Sequence, residues 1–276
     1  MPELPEVEMA RATIERAALG RRIADVDDAD TWECRPHSPG EIREALVGRR
    51  LTGAFRRGKA MWCETSGVGR GRVPGPVLGL HLGMSGRIVV SGRKGETEGG
   101  DRLTGEGTAS EQSARHPEWD RFTIVFDDGG ALRLFDKRRL GRVRLGPDLD
   151  DLGPDAAEVG VGEFRERVGR GRTAVKARLL DQSVLAGVGN LLADEALWQA
   201  RLDPRRTVDT LSPDELTDLH RALKRATRSA IRQGGVHTGT VVEHRHGGGH
   251  CPRCGTAMRR ATVGGRTTWF CPEEQR

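Results

Sequence analysis

From residue 22 to residue 145 the chain is a series of short apolar runs closed by glycine or arginine, and after a turn-rich stretch at Gly146 to Pro154 the apolar spacing becomes helical. The runs Arg22 to Val26, Arg50 to Arg56, Ala60 to Glu64, Val77 to His81, Arg87 to Val90, Phe122 to Phe126, Ala131 to Phe135 and Gly141 to Leu145 read as strands. Ahead of them, Val7, Ala10, Ile14 and Ala17 fall on one face of a helix predicted over residues 5–19. Residues 91–116 are rich in Gly, Glu and Ser without periodicity, and are expected to form a mobile surface insertion. Downstream, Glu163 to Val168, Ala174 to Asp181, Leu191 to Ala200 and Pro213 to Gln233 read as helices, the last with Ser212 and Glu215 in capping-box positions. The pattern predicts an α+β chain, a β-sandwich behind one helix followed by a helical domain.

Charge narrows the class of partner. The chain carries net +5, and residues 201–276 hold 14 Lys+Arg against 8 Asp+Glu, so the basic excess sits at the C-terminal end, where a phosphate-binding module would show it. Tyrosine is absent and aromatics make up 4%, which excludes a binding surface built from several tyrosines. No apolar run approaches the roughly 20 residues of a membrane span, and the acidic, amphipathic start is unlike a signal peptide. A cytoplasmic protein is therefore expected, with Cys34 and Cys63 as reduced thiols.

Two segments carry chemistry. Removal of Met1 before the small Pro2 would expose a secondary amine. An α-amino group titrates near pKa ~7.7–8.0, so a useful fraction is nucleophilic at neutral pH and can attack an aldehyde carbon to form an iminium ion. Proline also favours the first turn of a helix, so Pro2 alone would equally suit a helix start. Glu3 beside the amine can shuttle protons if its pKa is raised toward neutrality, whereas Glu6 and Glu8 suit a helix N-terminus, the role expected of Glu8. At the other end, Cys251-Pro252-Arg253-Cys254 is followed, after 16 intervening residues, by Cys271. This spacing predicts a structural zinc site of one Zn2+ per chain, its fourth ligand left open between Glu274, His250 and His246, with a weakly held fourth position or a zincless knuckle as the alternatives.

The segment Pro2-Glu3-Leu4-Pro5-Glu6-Val7-Glu8 resembles the N-terminus of the formamidopyrimidine-DNA glycosylase/endonuclease VIII family, and the resemblance extends over nearly the whole chain. It implies that Pro2 attacks C1′ of a damaged nucleotide, that Glu3 is the acid opening the sugar ring, and that Glu6 is a supporting carboxylate. Lys59, in Arg56-Arg57-Gly58-Lys59, resembles a hairpin lysine that contacts the DNA backbone and assists the chemistry. His81-Leu82-Gly83-Met84-Ser85-Gly86 and Asp136-Lys137-Arg138-Arg139-Leu140-Gly141 resemble the segments that refill the duplex when the lesion is flipped out, Met84 and Arg138 being the inserting residues. Lys137 replaces a proline of the family pattern and Leu140 a phenylalanine, which makes Leu140 a weaker stacking wedge. Lys176 and the run Leu185-Ala186-Gly187-Val188-Gly189-Asn190 through Leu197 resemble the helix-two-turn-helix signature, with the helix amides and Asn190 facing a phosphate. Arg266 matches a finger-tip arginine placed against phosphate, and the family has cysteine where this chain has Glu274.

Together these readings predict a catalytic β-sandwich domain at 1–148, a helix-two-turn-helix domain at 149–235 and a zinc-finger-like β-hairpin at 236–276. The expected activity is that of a base-excision-repair DNA glycosylase with AP-lyase activity, working through a proline iminium and β,δ-elimination. Damaged double-stranded DNA is the expected partner of a monomer without small-molecule cofactor, cytoplasmic and nucleoid-associated when on DNA. The segment from Gly235 to Cys251 is too short to fold over an oxidised guanine, so several lesions are expected as substrates. A lesion-binding protein without catalysis would share the scaffold, but intact Pro2, Glu3 and Lys59 argue against it, and a zinc-ribbon regulator would leave the N-terminal motif unexplained.

Overall fold

A computed structural model of the chain describes residues 2–67, 74–93, 95–100, 116–147 and 149–276. It divides into two compact units, Met1–Pro2 with Glu6–Leu149, and Glu3–Pro5 with Asp150–Arg276.

In the first unit, helix α1 (Leu4–Ala17) buries Val7, Ala10 and Ile14, the i, i+3, i+7 stripe of the sequence. Behind it lie a five-stranded sheet in the order β1-β7-β8-β5-β6 and a four-stranded sheet in the order β2-β3-β4-β9, all neighbours antiparallel. The strands are β1 (Ile23–Asp27), β2 (Leu51–Arg57), β3 (Ala60–Thr65), β4 (Leu78–His81), β5 (Arg87–Gly92), β6 (Gly95–Gly100), β7 (Asp120–Phe126), β8 (Ala131–Phe135) and β9 (Arg142–Leu145). Both sheets and α1 feed one apolar core, including Ile23, Leu51, Met61, Leu80, Ile88, Phe122 and Leu134.

Two elements depart from the sequence reading. Helix α2 (Glu41–Leu46) has only Ile42 and Leu46 as apolar anchors, and its cap comes from far upstream. Asp28 accepts hydrogen bonds from the backbone N–H groups of Gly40 (2.7 Å), Ile42 (2.9 Å) and Arg43 (3.1 Å). Strand β6 overturns part of the insertion expected at 91–116; residues 101–115 of that insertion lie outside the described residues. Its Gly-Glu-Thr-Glu-Gly-Gly sequence has little strand propensity, yet it pairs with β5 from Arg87↔Gly100 to Gly92↔Gly95. A Cβ at Gly99 would sit 2.4 Å from the carbonyl oxygen of Met9, so the bare backbone is what lets this strand lie against α1.

The second unit is helical: α3 (Val161–Val168), α4 (Val175–Leu180), α5 (Asn190–Gln199) and α6 (Pro213–Gln233) enclose Leu4, Phe164, Leu179, Leu197, Leu219 and Leu223. The capping box of α6 forms as the spacing predicts, with Glu215 N–H donating to Ser212 Oγ (3.1 Å) and Ser212 N–H to Glu215 Oε2 (2.8 Å). A hairpin follows, β10 (Arg259–Val263) and β11 (Arg266–Phe270), joined through Gly264 (φ 57°) and Gly265 (φ 70°). Two consecutive positive φ angles are what a two-residue hairpin turn of this hand requires. None of the described helices is long and apolar enough to cross a membrane.

Candidate active site and nucleic-acid interface

Pro2 is buried and precedes α1, and Glu3 is anchored in the second unit. Leu191 N–H donates to Glu3 Oε1 (2.9 Å) and Leu192 N–H to Oε2 (3.1 Å), so the first turn of α5 grips the carboxylate by both oxygens. Leu4 N–H donates to Gly187 O at 3.1 Å and fixes the chain beside it. Gly187 (φ 108°) makes the turn, and a Cβ at Gly189 would lie 2.2 Å from Glu3 Cδ. The glycines therefore permit a close approach, as the sequence suggests, but to Glu3. The expectation that the α5 amides face a phosphate is corrected to this extent: those of Leu191 and Leu192 already serve the carboxylate.

Asn190 and Lys176 are likewise engaged within the unit. Asn190 Nδ2 donates to Thr267 O (3.1 Å) on β11. Lys176, expected on DNA, is 0% exposed, with Nζ 2.6 Å from Asp194 Oδ1 and donating to Thr268 Oγ1 at 2.8 Å. That burial rules out direct phosphate contact in this conformation. Burial pulls its pKa down, against the opposing pull of Asp194. Asp194 also accepts from Arg245 Nε (2.8 Å) and Trp269 N–H (3.3 Å), tying α4, α5 and the hairpin together.

In the first unit, Glu6 is buried, and Lys59 follows Gly58 (φ 60°) in the turn between β2 and β3. Glu8 is not a helix-end anion only: it accepts from Arg11 (2.8 Å) and Arg56 (2.7 Å). Met84 and Leu140 are exposed, and Arg138 projects from the surface between β8 and β9. A Cβ at Gly83 would meet the Leu140 carbonyl carbon at 2.4 Å, so the two segments touch backbone to backbone. Beneath them lies Asp136, fully buried, accepting from Ser85 Oγ (2.7 Å) and from the N–H groups of Arg138 (3.0 Å), Leu140 (2.9 Å) and Gly141 (2.9 Å). His81 Nδ1 accepts from Gly83 N–H at 3.0 Å. Burial first, and then the charges of Lys59 and Arg144, lower the His81 pKa, which favours the neutral ring this bond needs.

Glu33 was not foreseen. It is fully buried, and Gly141 N–H donates to its Oε1 at 3.1 Å. Burial, then the charges of Asp136 and Asp30, push its pKa up to about 8 from an ordinary 4.5. The folded chain thus keeps a proton that the unfolded chain releases. The stability that Glu33 contributes is full below pH 4.5, declines as pH rises and is lost beyond about pH 8. Glu33→Gln removes the titration; at pH 9 it should stabilise the protein by on the order of 2–3 kcal/mol, with little effect at pH 4.5, measured by urea melts. Equal pH profiles for the two proteins would refute the buried proton.

In the hairpin region, the sulfurs of Cys251, Cys254 and Cys271 lie within 4.8 Å of one another, with Cys254 and Cys271 at 3.5 Å. Three thiolates about 2.3 Å from one ion in tetrahedral array stand roughly 3.8 Å apart, so the cluster fits zinc. Glu274, His250 and His246 are outside it; the Glu274 carboxylate faces Arg201 (3.0 Å) and Arg253 (3.8 Å). Arg266 is exposed at the start of β11.

Two family models match: the formamidopyrimidine-DNA glycosylase N-terminal domain over residues 1–143 and the formamidopyrimidine-DNA glycosylase H2TH domain over residues 150–241. A formamidopyrimidine-DNA glycosylase of Nocardioides sp. is 33% identical, with 99% of this chain and 93% of the relative covered. One from Roseiflexus sp. is 34% identical over the full length of both. Among solved structures, the Lactococcus lactis Fpg (MutM) bound to DNA containing N7-benzyl-Fapy-dG matches with TM-score 0.77 and 26% identity over all of both chains. The same enzyme on DNA with an abasic site matches at 0.76 and 25%, over 99% of each.

Proposed function

Given that this chain belongs to the formamidopyrimidine-DNA glycosylase family and is a base-excision-repair DNA glycosylase with AP-lyase activity, we propose that Pro2 is its nucleophile and Glu3 its acid. The observation that carries these roles is the grip of the α5 amides on both Glu3 oxygens, which fixes a carboxylate one residue from the amine. The Pro2 lone pair forms the N–C1′ bond as the bond from C1′ to the base breaks, and the base leaves with the proton that the Pro2 nitrogen gives up. Ring opening gives the iminium, with O4′ taking a proton from Glu3. Loss of a C2′ proton then expels the 3′-phosphate, and a second elimination expels the 5′-phosphate. Glu6 is a supporting carboxylate, and Lys59 contacts the DNA backbone near the lesion and assists the chemistry.

Met84, Arg138 and Leu140 fill the vacated stack, while Arg266 meets phosphate. Lys176 and Asn190 act on DNA through the β11 strand they hold. The protein works as a monomer on damaged double-stranded DNA in the cytoplasm, with residues 1–148, 149–235 and 236–276 as its catalytic, helix-two-turn-helix and finger parts. Borohydride trapping on duplexes with an abasic site, oxidised pyrimidines and oxidised purines tests the reading. A covalent protein-DNA adduct is expected, with turnover spread over several lesions. Its absence on the abasic duplex would overturn the enzyme reading, and a sole preference for 8-oxoguanine opposite cytosine would overturn the breadth.

Cys251, Cys254 and Cys271 would hold a structural zinc that fixes the hairpin bearing Arg266. Metal analysis should return about one zinc per chain, and Cys254→Ser should abolish it and open the hairpin to protease. Since the Glu274 carboxylate faces two arginines, Glu274→Ala should leave the zinc content unchanged. A loss of zinc in that variant would restore Glu274 as a ligand.

A further inference from the structure

Among the described residues, Trp32 is the most exposed of the large apolar side chains, at 51%. It stands in a loop fastened to the segment that carries Leu140. Arg139 Nε donates to both oxygens of Asp30 (3.0 and 2.8 Å), Gly141 N–H to Glu33 Oε1 (3.1 Å) and Val143 N–H to Glu33 O (2.8 Å). Trp32 is itself fixed at the backbone, its N–H donating to Asp30 Oδ1 at 3.0 Å and its carbonyl accepting from Arg35 at 3.2 Å. The backbone of Trp32 is thus held in place while its indole stays half exposed to water.

Its surroundings indicate what it would contact. The Arg35 guanidinium lies 3.9 Å from the ring centroid and that of Arg142 5.8 Å away. A flat ring among guanidiniums is the combination that binds nucleic acid, the ring stacking on a base while the cations meet phosphate. Leu140 next door can fill a gap but cannot stack as a ring does.

We propose that Trp32 is a DNA-contacting, specificity-determining residue that stacks on a base of the strand opposite the lesion, supplying from the neighbouring loop the ring that Leu140 lacks. This rests on the glycosylase reading above. The strand assignment follows from the fastening: Trp32 is fixed to the segment bearing Arg138 and Leu140, whose proposed part is to fill the stack the flipped lesion vacates, and that leaves the base opposite as the ring's neighbour.

The test is fluorescence anisotropy with the full chain on duplexes carrying a stable abasic analogue opposite each of the four bases. Trp32→Ala should weaken binding roughly tenfold, the size of one base-aromatic stack, and compress the spread across opposite bases. Trp32→Phe should keep most of both, and Leu140→Phe should restore affinity in the Trp32→Ala background. Indole emission of the wild type should be quenched on binding, and Trp32→Phe should lose that component while the other four of the five tryptophans remain. Should Trp32→Ala fold poorly, the emission of Trp32→Phe decides. Wild-type protein that traps with borohydride, beside a Trp32→Ala variant of unchanged affinity and spread, would overturn this inference alone. Wild-type protein that does not trap would overturn the glycosylase reading and this inference with it.

Discussion

Protein that retains Met1 should form no borohydride-trapped adduct with abasic DNA while still binding it. With Met1 in place the Pro2 nitrogen is a tertiary amide whose lone pair is delocalised into the carbonyl, and the Met1 amine that becomes the N-terminus is displaced by one residue from the position Pro2 holds. Pro2→Gly is milder, because it leaves a primary amine, but glycine frees the backbone that places the nitrogen. A loss of roughly a hundredfold or more in trapping rate is expected, as for other displaced nucleophiles. Mass spectrometry read beside the trapping assay settles the matter: full activity in a preparation with intact Met1 would rule out Pro2. Glu3→Gln should slow release of a damaged base more than cleavage of a ready-made abasic site, since the latter already offers an aldehyde.

The second large effect is on stability. Asp194→Ala leaves the Lys176 ammonium, at 0% exposure, and the Arg245 guanidinium without their shared carboxylate. Removing one member of a buried ion pair typically costs about 3–5 kcal/mol, a large part of what keeps a domain folded. Urea denaturation should show that loss, and the hairpin should become sensitive to protease. The double change Asp194→Leu with Lys176→Met should be less damaging than Asp194→Ala, because no ammonium is then left buried alone. A cost under about 1 kcal/mol for Asp194→Ala, typical of an exposed pair, would show that water reaches the site.

Much of this architecture was legible in the sequence because periodicity reports burial directly. The stripe of Val7, Ala10 and Ile14 marks the core face of α1, and Ser212 with Glu215 marks the start of α6, since each signal lies within a few residues of what it specifies. What escaped depended on distant partners. Helix α2 is capped by Asp28 rather than by its own neighbour, and β6 exists because β5 offers it an edge. The same division holds at the site. The cysteine triad could be picked out by spacing, whereas the use of Asp136 and Glu33 requires knowing that residues 85 and 138–141 meet. Lys176 entered through the resemblance, and its burial could not be read there, because the carboxylate that holds it lies 18 positions away.

One carboxylate, Asp136, accepts hydrogen bonds both from Ser85 and from the 138–141 segment, and Gly83 abuts Leu140 with no room for a side chain. For protein engineering this makes the two loops a single transplantable part. Exchanging the Met84 loop for that of a relative, while keeping the native segment opposite, would set a foreign backbone against a contact with no slack, and energies measured at one loop would not add to those at the other. A designer seeking a new lesion preference would have to move both together, with the buried carboxylate that joins them.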